Sequence, residues 1–217
     1  MPAARCYIRQ STLRTAVAVG ILAVGLLPPA VMASDDMMGA ATPSASPAPV
    51  RARTVDIALP AVALTRADGR TVTLAGVLSD RRPVVLNFIY TSCGSTCPLL
   101  SQMIAEFRGR LGAARSEVHV VSITIDPEQD TPAVLRGYAR RFHGGAGWDY
   151  YTGTLSASET VQKSFGVYRG DKMSHPPVTF LREGTGTQWT RVDGFATPTQ
   201  LLGYFQRLLA AARGNST

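Results

Sequence analysis

The chain has 217 residues, 45% of them hydrophobic and 17% charged. That much apolar material supports a packed core and excludes disorder along the whole length, while the lack of a glycine period or sustained heptads excludes collagen and coiled coil. The formal charge of +7 owes three units to Arg5, Arg9 and Arg14; beyond residue 33 there are 19 basic against 15 acidic residues, too mild and scattered for a nucleic-acid footprint.

Residues 15–34 carry no charge, and Thr15 to Leu27 is an unbroken run of apolar or small residues. A basic start, a short apolar run and the small-residue end Val31-Met32-Ala33 describe residues 1–33 as an export signal. A retained membrane anchor is the competing reading, a tether through residues 15–34. Pro28-Pro29 weigh against it, because they end the run short of the ~20 apolar residues of a spanning helix. Both readings place the remainder in a bacterial periplasm or on the outer face of the inner membrane. Cys6 precedes the apolar run, where a lipoprotein cysteine does not sit. Residues 34–52 are rich in Ala, Pro and Ser and read as a flexible linker, with Asp35-Asp36-Met37-Met38 as a solvated part of it rather than a soft-metal cluster.

Residues 53–217 form the folded domain. Val62 to Thr65 and Thr71 to Leu74 flank an Asp68-Gly69 pair and predict a β-hairpin. The apolar run Pro83 to Tyr90 predicts a central strand buried on both faces, and Val118 to Ile125 predicts a second. Pro98 opens a helical pattern through Leu99, Leu100, Met103, Ile104, Phe107 and Leu111. Thr131-Pro132 starts another helix, Ser156 or Ser158 a third, and Thr197-Pro198 a last one carrying Leu201, Leu202, Phe205 and Leu208. Val178 to Leu181 and Gln188 to Val192 predict two late strands. Strands alternating with helices imply an α/β fold with parallel pairs, and a cysteine pair between a strand and a helix start adds a thioredoxin-like expectation. The predicted architecture is a thioredoxin-like fold with an added N-terminal β-hairpin and helices on both faces of a mixed central sheet.

Cys93 and Cys97 lie in Thr91-Ser92-Cys93-Gly94-Ser95-Thr96-Cys97-Pro98. Four residues apart at a helix start, the sulfurs share one side, and the unpaired N–H groups there favour thiolate, which is both nucleophile and metal ligand. An inert disulfide across so small a loop stabilises little. Three intervening residues, where redox enzymes mostly have two, favour a metal if a third ligand exists. His119 lies inside a predicted strand and His143 at a helix end, so both read as structural. His175, in the loop Ser174-His175-Pro176-Pro177 before a strand, faces the cysteine loop in a thioredoxin-like layout. Pro177 then stands where such folds often have a cis proline. Two thiolates and one imidazole suit copper, as Cu(I) or, with an added ligand, Cu(II); zinc competes, but its structural sites want four protein ligands.

In these residues the chain resembles the Sco/SenC family, copper-binding assembly factors of cytochrome c oxidase. The resemblance rests on Asn87-Phe88-Ile89-Tyr90-Thr91-Ser92-Cys93 with Cys97-Pro98, on Ser122 to Pro132 with its Asp126-Pro127-Glu128-Gln129-Asp130-Thr131-Pro132 run, on Thr152-Gly153-Thr154, on Phe165-Gly166-Val167-Tyr168 and on the His175 loop. It implies one copper ion held by Cys93, Cys97 and His175, and delivery to the CuA-type centre of oxidase subunit II or another copper-site protein. Periplasmic copper carriers and thiol reductants are further expected partners. The chain differs from many members at Gly94, where proline is common, and at Ser174, where aspartate is common. Asp126 reads chiefly as a turn former and secondly as a site hydrogen-bond or docking charge, and Met173 chiefly as loop packing and secondly as a residue approaching the copper. A thiol–disulfide reductase of a partner's copper-site cysteines is the alternative function, and peroxide reduction or redox sensing a third.

Overall fold

The computed structural model describes residues 49–214; the leader and most of the linker lie outside them. Among these residues eight strands form one sheet: β1 (Arg51–Asp56), β2 (Ala63–Arg66), β3 (Thr71–Thr73), β4 (Val84–Ile89), β5 (His119–Thr124), β6 (Trp148–Thr152), β7 (Val178–Arg182) and β8 (Gln188–Asp193). Their order across the sheet is β1-β8-β7-β4-β5-β6-β2-β3. The sheet is mixed: β4 runs parallel to β5 and β5 to β6, while β7 is antiparallel to β4.

Every residue of β4 and β5 is buried, as their unbroken apolar runs require. Successive residues of a strand face opposite ways, and the two faces of β4 differ. On one, Asn87 accepts from the Ser122 hydroxyl at 2.7 Å, which in turn accepts from the Trp148 indole at 2.9 Å. On the other, Phe88 meets Phe165 and Phe180 edge to face at ring separations of 5.6 and 6.3 Å, with Trp189 beyond.

Among the described residues five α-helices complete the fold: α1 (Leu74–Val77), α2 (Thr96–Arg110), α3 (Pro132–Arg141), α4 (Leu155–Ser164) and α5 (Pro198–Gly214). Helices α2 and α5 pack through Phe107 and Phe205, whose rings are 5.5 Å apart. Thr131 caps α3 and Thr154 caps α4 with their hydroxyls, so α4 starts at Leu155, ahead of both Ser156 and Ser158, which mark it in the sequence. The hairpin forms as predicted, Gly69 turning at φ +93°, where a side chain would be strained.

Two strands have no clear signal in the sequence. β6 carries Asp149 between Trp148 and Tyr150; the carboxylate is held by the His119 ring at 3.1 Å and by Arg66, so both His119 and the charge are structural. β1 is an edge strand whose residues are mostly exposed, and it takes in Arg51 and Ala52, the end of the linker as composition delimits it. His143 sits past the end of α3 at φ +54°, a terminating role. Among the described residues no peptide bond is cis, so Pro177 does not follow the cis habit expected from its place.

Candidate metal and thiol site

The central strand β4 ends at Ile89, and a short turn carries the chain into α2 at Thr96. The Cys93 N–H donates to the Tyr90 carbonyl at 3.2 Å, closing the turn. At the helix start Ser95 offers no side-chain acceptor. The Cys93 sulfur takes that place, accepting from the Cys97 N–H at 3.3 Å. Pro98, which has no N–H to donate, falls within the first turn where none is needed.

Both cysteines are free thiols and nearly buried, yet they differ. Burial pushes the Cys93 thiol up, but the N–H groups of Cys97 and Ser95 and the Tyr90 hydroxyl outweigh it and bring the pKa down to about 7. Cys97 lies deeper; desolvation, with the neighbouring Cys93 charge, pushes it up to about 12. One sulfur is a ready thiolate near neutrality and the other a protonated reserve.

The loop is fastened from behind by Asp130, which is fully buried. Its carboxylate accepts from the Thr91 N–H at 3.1 Å, from the Thr91 hydroxyl and from the Thr124 hydroxyl at the end of β5. Asp126, four residues earlier, has a different task. It accepts from Lys172 at 2.6 Å and so ties the end of β5 to the loop that carries His175. The resemblance covers Asp130 only as part of a motif, and nothing in the sequence assigns it to the cysteine loop. Tyr90 is missed as well, for it reads as the last apolar residue of a strand. Its hydroxyl donates to Met173 Sδ at 3.4 Å and, lying near the Cys93 sulfur, is one of the groups that lower that thiol's pKa.

In the second loop a short 3-10 turn, Lys172–Ser174, is capped by Asp171. His175 follows, its ring 6.0 Å from that of Phe88. Its Nε2 is buried without a hydrogen-bond partner. Burial, aided by the Arg169 and Arg191 charges, holds its pKa down to about 4, so the imidazole is neutral. The ring borders a cleft of about 320 Å³ shared with Asp126, Glu159, Gln162, Tyr168 and Arg169.

The structure thus assembles Cys93 with Cys97 and joins the His175 loop to them through Tyr90. Among the described residues no three of His, Cys, Asp and Glu stand together as a group able to hold a metal ion. The donors nonetheless suit copper in kind: a thiolate, a second sulfur beside it, and a neutral imidazole with a free nitrogen.

A family profile described as SCO1/SenC matches residues 57–210. The SCO1 protein homolog of Bacillus subtilis is 29% identical over 101 residues, 45% of this chain and 51% of that protein. The chain spans about half the length of that relative, and less of the next. In fold it is similar to Bradyrhizobium japonicum ScoI with copper bound, at a TM-score of 0.57 and 24% identity over 70% of this chain and 99% of the other. It is likewise similar to BsSco, described as a member of the Sco family of cytochrome c oxidase assembly proteins with a disulfide switch, at a TM-score of 0.60 and 22% identity over 72% and 95% of the two chains.

Proposed function

The chain belongs to the SCO1/SenC family, and on that premise we propose that it is a copper-binding metallochaperone. It takes one copper ion on Cys93, Cys97 and His175 and serves assembly of the CuA-type centre of cytochrome c oxidase, with oxidase subunit II or another copper-site protein as recipient. The observation that carries this reading is the pre-assembled sulfur pair joined through Tyr90 to a loop whose buried, neutral imidazole has a free Nε2. The copper-bound structure of the similar ScoI supports it. An exported domain, tethered or released, fits the leader composition.

Copper supplies only an ion to be passed on; the chemistry of holding and releasing it belongs to the protein. Cys93 offers a charged sulfur without first losing a proton at neutral pH. Cys97 must give up its proton when a cation arrives, and a nearby positive charge favours that loss. His175 needs no deprotonation, and holding one ion on all three donors requires its ring and the sulfurs to come together, since among the described residues they do not stand as one group. Release runs the other way, since Cys97 regains its proton more readily than Cys93.

Titration of the reduced chain with Cu(I) tests this. One equivalent should bind, and Cys93→Ser or Cys97→Ser should each abolish tight binding. Less than one equivalent in the unaltered chain overturns the reading. The unequal thiols favour one alternative, a thiol–disulfide reductase in which Cys93 attacks a partner's disulfide and Cys97 resolves it. His175→Ala separates the two: it weakens copper binding under the first reading and leaves disulfide reduction unchanged under the second.

A further inference from the structure

Among the described residues four large apolar side chains are exposed, Leu99, Val134, Leu155 and Met173, by 41% to 74%. Scattered singly, such residues need no account. These are not scattered. Leu99, Val134 and Leu155 stand near the starts of α2, α3 and α4, the helices that follow the parallel strands β4, β5 and β6. Strand β7 runs against β4, so the loop before it, with Met173, returns to the same end of the sheet. That end carries the cysteine loop. The expectation that Met173 chiefly packs is not met, since most of the residue faces water. The cleft beside His175 opens at this end as well, and its charge is unlike that of the chain. Asp126, Glu128, Glu159 and Asp171 line it against Arg169 and Lys172, whereas the whole chain has 22 basic and 15 acidic residues. Leu155 also lines it, so the apolar and acidic surfaces meet. Lys172 pairs with Asp126 and Lys163 with Glu159. Glu128 is exposed and takes no hydrogen bond or ion pair among the described residues.

We propose that this end of the domain is a docking surface for a partner protein, and that the partner presents a segment bearing both apolar and basic side chains. This deepens the metallochaperone reading by naming the chemistry of its partner, and rests on it only in that the site serves a second protein. The apolar side chains of the segment cover Leu155 and Met173, with Leu99 two residues beyond Cys97, and so remove water from the rim of the site. Methionine suits such a place, since its unbranched, polarizable side chain adapts to different surfaces. A lysine or arginine of the segment enters the cleft and meets Glu128, a carboxylate with no other partner. The charges decide orientation more than affinity: a basic segment is attracted to this cleft and repelled by the net positive remainder, so it arrives facing the cysteines. The same carboxylates repel anionic lipid, which makes a protein rather than a membrane the occupant.

Three synthetic peptides, of alternating leucine and lysine, leucine and glutamate, and serine and lysine, serve as probes of the reduced full chain, with amide chemical shifts as the readout. The leucine–lysine peptide should shift Leu99, Glu128, Leu155 and Met173 and bind about tenfold tighter than either of the others at low salt. Leu155→Ser and Glu128→Lys, both at exposed positions, should each weaken it about fivefold and leave the Cu(I) stoichiometry unchanged. Shifts confined to other surfaces, or equal binding of the leucine–glutamate peptide, overturn the docking surface and leave the copper reading standing. Sedimentation of the chain with phosphatidylglycerol vesicles that Leu155→Ser abolishes assigns the patch to lipid and overturns it as well. Failure of the unaltered chain to bind one Cu(I), with peptide binding intact, overturns the copper reading and leaves the docking surface standing.

Discussion

The cysteine loop and the histidine loop lie at the same end of the sheet but are held by different means. The first is anchored at both ends by regular structure, β4 before and α2 after, and pinned by a fully buried carboxylate. The second is a short turn joined to the body by the Lys172–Asp126 ion pair and the Met173–Tyr90 contact, with most of its residues exposed. The difference teaches that the two sulfurs sit on a firmly anchored turn, while His175 stands in a loop held to the body by fewer contacts. Under the proposed copper reading, a site that loads and unloads does not need all its ligands fixed as a site for permanent retention does.

The largest break in that comparison comes from Asp130. Asp130→Ala leaves a buried N–H and two hydroxyls without their acceptor. It should cost about 3 kcal/mol of stability, the scale of losing charge-assisted bonds and stranding their donors. Urea denaturation measures it, and a loss below about 1 kcal/mol would show that the cysteine loop is not fastened in this way.

The next effect concerns the thiols. The folded pKa of Cys93 is lowered from 9.0 to about 7, so its thiolate prevails as pH rises through 7 and reacts with iodoacetamide there, while Cys97 stays unlabelled through pH 10. For Cys93 the sign of the linkage follows: its contribution to stability is complete above pH 9 and is lost as pH falls through 7. Mass spectrometry of the labelled chain reads both sites. Tyr90→Phe removes one donor to the thiolate and should move the Cys93 midpoint upward; midpoints near 9 for both cysteines would erase the asymmetry.

The smallest effect sharpens the contrast from the other loop. Lys172→Ala removes the exposed partner of a nearly buried Asp126 and should lower the urea midpoint less than Asp130→Ala does, since the lysine side of the pair faces water. Amide exchange at Met173, Ser174 and His175 should still quicken several-fold, because their N–H bonds lie within the freed turn. Equal quickening at Thr91 and Cys93 would mean that the two loops move as one.

Much of the fold is legible in the residues because burial on two faces demands unbroken apolar runs, as in Val84–Ile89 and His119–Thr124, and because Thr131, Thr154 and Pro98 mark helix starts. Strand β1 is not legible, since an edge strand exposed to water needs no apolar pattern. Strand β6 hides behind Asp149, whose charge is balanced by His119 and Arg66 from elsewhere in the chain.

The site divides along the same line. Cys93, Cys97 and their place between a strand and a helix are local facts, carried by four residues of spacing and a proline. The inequality of the two thiols, the fastening by Asp130 and the buried, neutral state of His175 are not local. They depend on how deeply each group is buried and on which donors approach from Tyr90, Thr124 and Lys172, residues brought near only when the sheet closes. Sequence determined which atoms are available for chemistry; the tertiary structure decided their charge and their reach, because solvent exclusion and long-range hydrogen bonds exist only in the folded chain.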